Sequence, residues 1–400
     1  MKKNLRFLTL LLLTAFIWTS CRKTDWHPGS NTGSDLFVSA TPTATFSSTD
    51  LSNLAAKLGY GAFSKYLVYG VDFYKLVYKT PYKGSMIEAS GTIGIPKNTL
   101  LPPSMISAQH GTMFSFADAP SNFPNTFTGF ELFASAGYVT VIPDNIGLGV
   151  SQNVTQPYYD KGYSASSVVN MIEAAKYFLQ QQNKAITNRL FLIGYSEGGY
   201  TTMAAQEEIE TNPSHHLTVT AAAEGAGGYD LTAFLSAIAD TANYSAPSFL
   251  GLILKSYNDT YDWHRPYTDF FQQPYAGEMA GLLNGSMNRQ QIDAQLTTST
   301  AALFNPVFYA NLQNPAKETA LKTKIGENSF LTWVPKSPTW LFHGTADEAV
   351  PFETSVITYN RFIAAGATNV QFTPIPGGTH ETSVVSMMQY VLPWIASLDH

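Results

Sequence analysis

Cysteine is almost missing from this 400-residue chain: there is one, Cys21. The body that follows it therefore holds no disulfide, no thiol nucleophile and no cysteine-bound metal. The usual metal spacings are missing as well. There is no H-E-x-x-H, and His215 and His216 are adjacent rather than one helical turn apart. Charge is scarce, at 13% of residues, and has no basic excess; the net charge is −6. No electrostatic footprint for nucleic acid results. Internal repeats are lacking too. What is abundant is apolar surface: 44% hydrophobic residues, with 22 Tyr and 25 Phe. That suffices for a large core, and equally for an aromatic-lined pocket. The length allows one large domain with an insertion, or two domains.

The N-terminus reads as an export segment. Lys2, Lys3 and Arg6 form a positive region, and residues 7–18 form an apolar run too short to span a bilayer as a finished helix. Thr19-Ser20-Cys21 then resembles a bacterial lipoprotein signal. The resemblance implies a signal peptide over residues 1–20 and acylation of Cys21, anchoring the chain to a membrane. Arg22 and Lys23 follow, not Asp, which by the same resemblance points to the outer membrane. The alternative is an ordinary secretory signal cleaved nearby, leaving a periplasmic or secreted protein. Residues 21–50 are rich in Ser, Thr, Gly and Pro and read as a flexible tether.

The body alternates strands and helices. Residues 66–78 and 87–95, around Tyr82-Lys83-Gly84, read as a hairpin. Residues 104–109, 138–142, 190–193, 217–223, 338–342 and 370–375 read as further strands. Residues 127–136, 164–182, 201–210, 352–365 and 381–398 read as helices. This pattern predicts an α/β fold, a mostly parallel sheet with helices on both faces. Residues 229–337 break the alternation with Asn, Gln, Tyr and Phe and a few helical pieces. They are expected to form a helical cap over the site, the alternative being a separate small domain. The core is then residues 51–228 and 338–400.

Chemistry centres on Gly194-Tyr195-Ser196-Glu197-Gly198. A buried strand precedes it and a helix follows, the context that a nucleophile elbow requires. A serine hydroxyl needs a base, and the base a carboxylate to hold its tautomer. Downstream stand His343-Gly-Thr-Ala-Asp347-Glu-Ala-Val-Pro351 and Pro376-Gly-Gly-Thr-His380, each just past a strand. Catalytic candidates are therefore Ser196, Asp347 and His380. Glu348 is a rival acid, and His343 a rival imidazole better suited to structural hydrogen bonds. An oxyanion hole needs two N–H groups. Glu197 is one candidate and Thr112, after His110-Gly111, the other, with Met113 an alternative. Glu197 and Asp144 also offer side chains, for structure or for substrate recognition.

Taken together, Gly194–Gly199, Asp347 in its H-G-x-x-D setting and His380 after Gly-Gly-Thr resemble the α/β-hydrolase superfamily, over about residues 66–398. Gln109-His-Gly-Thr112, Pro143-Asp-Asn-Ile-Gly-Leu-Gly149 and the large insertion resemble its secretory lipase group and related bacterial esterases. The resemblance implies hydrolysis of small-molecule carboxylic esters through an acyl-serine, with no metal or organic cofactor. A serine peptidase on the same fold and a non-catalytic surface-binding lipoprotein are the competing readings.

Overall fold

A tight hairpin lies next to the first edge strand of the main sheet. In the computed structural model, which describes residues 33–399, Lys83 and Gly84 have φ of 47° and 77°. Two successive positive φ angles make the turn whose twist matches its strands. It joins β2 (Val71–Tyr82) to β3 (Ser85–Pro96) in register from Tyr82–Ser85 to Val71–Pro96. The remaining strands are β1 (Phe37–Phe46), β4 (Met105–Gln109), β5 (Val139–Pro143), β6 (Leu190–Tyr195), β7 (Ala221–Gly225), β8 (Thr339–Gly344) and β9 (Val370–Ile375). Among the described residues, these nine strands run in the order β1-β2-β3-β5-β4-β6-β7-β8-β9. Pairs from β1 to β5 are antiparallel, and those from β5 through β4 to β9 are parallel.

Apolar side chains point both ways from the parallel strands. Leu190 and Leu192 of β6 pack under α3 (Lys161–Gln181) and α4 (Glu197–Thr211). Phe191 and Ile193, pointing oppositely, meet α13 (Ser383–Leu398) together with parts of α1 (Ser48–Lys57) and α2 (Leu132–Ser135). A strand buried on both faces has no use for alternating polarity. On α3, Val168, Met171, Ile172, Ala175 and Leu179 are all buried, one stripe at helical spacing. Its first turn is capped by Asp160, which accepts from the Tyr163 amide at 3.0 Å. A further helix, α12 (Phe352–Ala364), packs on β8 and β9.

Between β7 and β8 the chain makes seven helices: α5 (Leu231–Asp240), α6 (Pro247–Thr260), α7 (Tyr275–Leu282), α8 (Arg289–Asp293), α9 (Thr300–Leu303), α10 (Pro306–Gln313) and α11 (Thr319–Glu327). Their apolar cluster is continuous with Tyr159, Tyr200 and Leu341 of the sheet and its covering elements. Among the described residues, no helix is long and apolar enough to cross a membrane.

Three expectations need correction. The tether does not run to residue 50. β1 is paired along β2, and the Ser47–Asp50 capping box starts α1 directly after it. Edge strands keep one side wet and tolerate Thr, Ser and Pro, which is the composition of a linker. The helix expected over 127–136 shrinks to Leu132–Ser135, because Thr128 and Gly129 are held in a turn around the buried Glu131. The strand expected over 217–223 begins at Ala221 and runs to Gly225. The expected export segment, Cys21 and the start of the expected tether lie outside the described residues.

Candidate active site

The turn from β6 into α4 sets the geometry. Ser196 has φ 60° and ψ −126°, a region that costs an L-residue energy and needs support from its surroundings. Its amide donates to Gly225 O at 2.8 Å. A Cβ on Gly194 would lie 2.0 Å from Gly198 O, and one on Gly198 would lie 1.9 Å from Gln109 O. Only glycine lets β6, α4 and the end of β4 come this close.

Three loops at the C-terminal ends of parallel strands meet there. Ser196 Oγ lies 2.8 Å from His380 Nε2, and His380 Nδ1 lies 2.7 Å from Asp347 Oδ2. With Nδ1–H donating to the carboxylate, Nε2 is left free to accept the serine proton. All three side chains are buried or nearly so. Asp347 Oδ1 accepts from the amides of Ala349 at 2.9 Å and Val350 at 2.8 Å. His343 Nε2 approaches Asp347 Oδ2 at 3.2 Å while its Nδ1 meets Ser355 Oγ at 2.7 Å. Burial pushes the Asp347 carboxyl up, but hydrogen bonds from His343 and His380 outweigh this and hold it well below the usual carboxylate range. Glu348, the rival acid, makes only a 3.4 Å contact with the His380 amide.

The loop after β4 reaches the same point. An added Cβ on Gly111 would touch Ser196 Cβ at 3.4 Å. His110 anchors this loop: its Nε2 meets Asp144 O at 3.1 Å and its Nδ1 meets Gly111 O at 2.7 Å. Asp144 in turn is tied to Ser90 and accepts from the Ser121 amide at 2.7 Å, so its carboxylate holds loops together. Thr112 Oγ1 lies 3.0 Å from the Tyr158 hydroxyl. Among the described residues, no backbone carbonyl accepts from the amides of Thr112, Met113 or Glu197.

A cleft of about 370 Å³ opens over Ser196. Its walls include Tyr60, Met113, Phe130 and Tyr195, and from the insertion Phe249 and Arg289. The Arg289 guanidinium lies 4.9 Å from the Phe249 ring centre and pairs with Asp293 at 3.2 Å. It also lies 3.6 Å from Glu381, beside His380. The insertion therefore forms one wall of the cleft. Sequence reasoning missed Arg289, the Gln156 contact to Glu197 and the second imidazole on Asp347. Arg289 and Gln156 sit at no local spacing that a motif could carry, whereas His343 stands four residues before Asp347 within the H-G-x-x-D run.

A doubly covered, mostly parallel sheet with a serine–histidine–aspartate contact at its strand ends defines an α/β-hydrolase. A sequence profile of the secretory lipase family matches residues 130–398, more than half of the chain, which therefore belongs to that family and is a carboxylic ester hydrolase. No curated protein matches it by sequence. Solved structures match its fold. A putative hydrolase from Legionella pneumophila aligns with TM-score 0.84 at 23% identity, over 91% of this chain and 98% of that one. The rice cell wall degrading esterase LipA from Xanthomonas oryzae aligns with TM-score 0.78 at 24% identity, over 90% and 96%. Candida antarctica lipase A in its closed state aligns with TM-score 0.68 at 18% identity, over 92% and 82%.

Proposed function

We propose that the ester hydrolysis runs through an acyl-enzyme on Ser196. His380 Nε2 takes the serine proton as Oγ attacks the ester carbonyl. Asp347 holds the imidazole in the right tautomer and stabilises the imidazolium. The amides of Glu197 and Thr112 receive the oxyanion. The tetrahedral intermediate collapses, and His380 returns its proton to the departing alcohol. Water, deprotonated by the same imidazole, attacks the acyl carbonyl; collapse of the second tetrahedral intermediate then frees the acid, and the imidazolium returns its proton to Ser196 Oγ. The unbroken Ser196–His380–Asp347 contact carries this reading.

The test is covalent. A fluorophosphonate probe should label the parent and not Ser196→Ala, and that variant should lose at least about 10³-fold in kcat. A folded parent that takes no label sinks the reading. The cleft, with a volume near the low end of ordinary ligand pockets, favours esters of small acids over long-chain lipids. Accordingly, kcat/KM on p-nitrophenyl esters should peak at short chains and fall by hexadecanoate.

We also propose export and anchoring through Cys21, on the resemblance of Thr19-Ser20-Cys21 to a lipoprotein signal. The parent should incorporate labelled palmitate and sediment with outer membranes. Cys21→Ala should do neither; unchanged sedimentation would remove the anchor from the proposal.

A further inference from the structure

The backbone of Glu197 enters the proposed oxyanion hole, but its side chain takes no part in the steps above. That side chain is a carboxyl buried to 3% exposure, next in sequence to the nucleophile. Its hydrogen-bond partners are uncharged. Gln156 Nε2 donates to Oε1 at 3.1 Å and reaches Oε2 at 3.5 Å, and the Thr112 hydroxyl stands beside the carboxyl. No Lys, Arg or His among the described residues offsets a charge there. A buried carboxylate without a counter-charge is costly, whereas the neutral acid is tolerated and gains an O–H donor. Thr112 Oγ1 is placed to accept it, being also 3.0 Å from the Tyr158 hydroxyl.

The contact spans three separate pieces of chain. Gly147 has φ 93°, and a Cβ there would lie 2.5 Å from Gln156 Cα. Its absence lets the segment after β5 fold back until Gln156 reaches Glu197. Thr112 comes from the loop after β4, and Glu197 from the first turn of α4.

We propose that Glu197 is a positioning residue that works as a neutral acid: its carboxyl bridges Gln156 and Thr112, clamps the loop after β4 to the elbow, and so sets the spacing of the two oxyanion-hole amides. This rests on the acyl-serine reading. Ionisation removes the O–H that Thr112 accepts. It also places a negative charge beside the oxygen that becomes negative during attack. Turnover is therefore lost at alkaline pH. Burial pushes this carboxyl up to about 8, against the hydrogen bonds from Gln156 and Thr112, which brings the loss into reach. The titratable groups facing Glu197 are Tyr158 and Tyr159. Burial raises both hydroxyls well above this window, so they stay neutral. Asp347, further off beside Tyr159, stays ionised.

The experiment measures kcat and KM on p-nitrophenyl butyrate from about pH 5.5 to 10 for the parent, Glu197→Gln and Glu197→Ala, with circular dichroism at each pH. The parent kcat should fall about tenfold per pH unit above about pH 8, with little change in KM. Glu197→Gln, neutral at every pH and still an N–H donor, should lack that limb and recover most of what Ala loses. Glu197→Ala should lose about tenfold or more in kcat throughout. If it does not fold, Thr112→Val, which keeps the amide and removes the hydroxyl, reads the same contact; it should lower kcat with KM held. An alkaline limb shared by the parent and Glu197→Gln overturns the proposal, as does Gln performing no better than Ala. Fluorophosphonate labelling of the parent separates the failures: an unlabelled parent overturns the acyl-serine reading, and a labelled one with an unaltered Glu197→Gln profile overturns this inference alone.

Discussion

Asp347 spends its two oxygens on different tasks. Oδ1 takes two backbone amides that close its own loop, and Oδ2 takes two imidazoles. A neutral amide in its place could keep the shape but would present N–H where His380 needs an acceptor. Asp347→Asn should therefore lower kcat by about 10³ to 10⁴ with KM within a few-fold, because the wrong tautomer of His380 is then favoured. Steady-state kinetics at neutral pH check this. A loss under tenfold would mean that another acceptor, Glu348 being nearest in sequence, can orient the imidazole. Ser196, Asp347 and His380 were legible because each stands at a short, recognisable spacing beside a strand end. Gln156 was not legible. It acts 41 residues from its partner, and only the fold-back permitted by Gly147 brings it there.

At the scale of elements, α3 and α4 are locked behind the sheet by one buried imidazole. His215 Nδ1 meets Glu173 of α3 at 2.9 Å, and its Nε2 meets Glu208 of α4 at 2.8 Å. Burial pushes the imidazole down, but the two carboxylates outweigh it and raise it to about 9. A folded value above the unfolded one of about 6.5 means that the native state holds the proton more tightly. The contribution to stability is complete below that unfolded value and is lost as pH rises through about 9. The Tm difference between the parent and His215→Asn should thus be largest near pH 6 and shrink by pH 10. A difference that is flat with pH would show that packing, not charge, holds the two helices. The same scale explains the misread N-terminal segment. β1 is half exposed along its length, so its alternation carried Thr, Ser and Pro rather than an apolar face.

For the whole molecule, the insertion is not an appendage. Tyr200 of α4 donates to Asn328 O at 2.7 Å and its ring meets Phe330 at 5.1 Å, both from the insertion. Tyr159 and Leu341 lie in the same apolar cluster. Replacing residues 229–337 by a short linker should expose these side chains and give an aggregated chain without a cooperative thermal transition. A monomeric remainder that melts cooperatively would mean that the core folds without the insertion. Arg289 and Phe249 reach the cleft from the same insertion, so the wall over Ser196 and the packing behind it depend on one segment.

By itself the chain order of residues determined the class of fold and the three side chains of the candidate site. Both follow from local rules: the period of burial in strands and helices, and the steric demand of a sharp turn flanked by glycines. Tertiary structure alone decided where β1 belongs, which insertion residues line the cleft, and that Glu197 meets Gln156 with no cation beside it among the described residues. Those outcomes depend on contacts between segments far apart in the chain, whose burial and electrostatics exist only once the sheet is assembled.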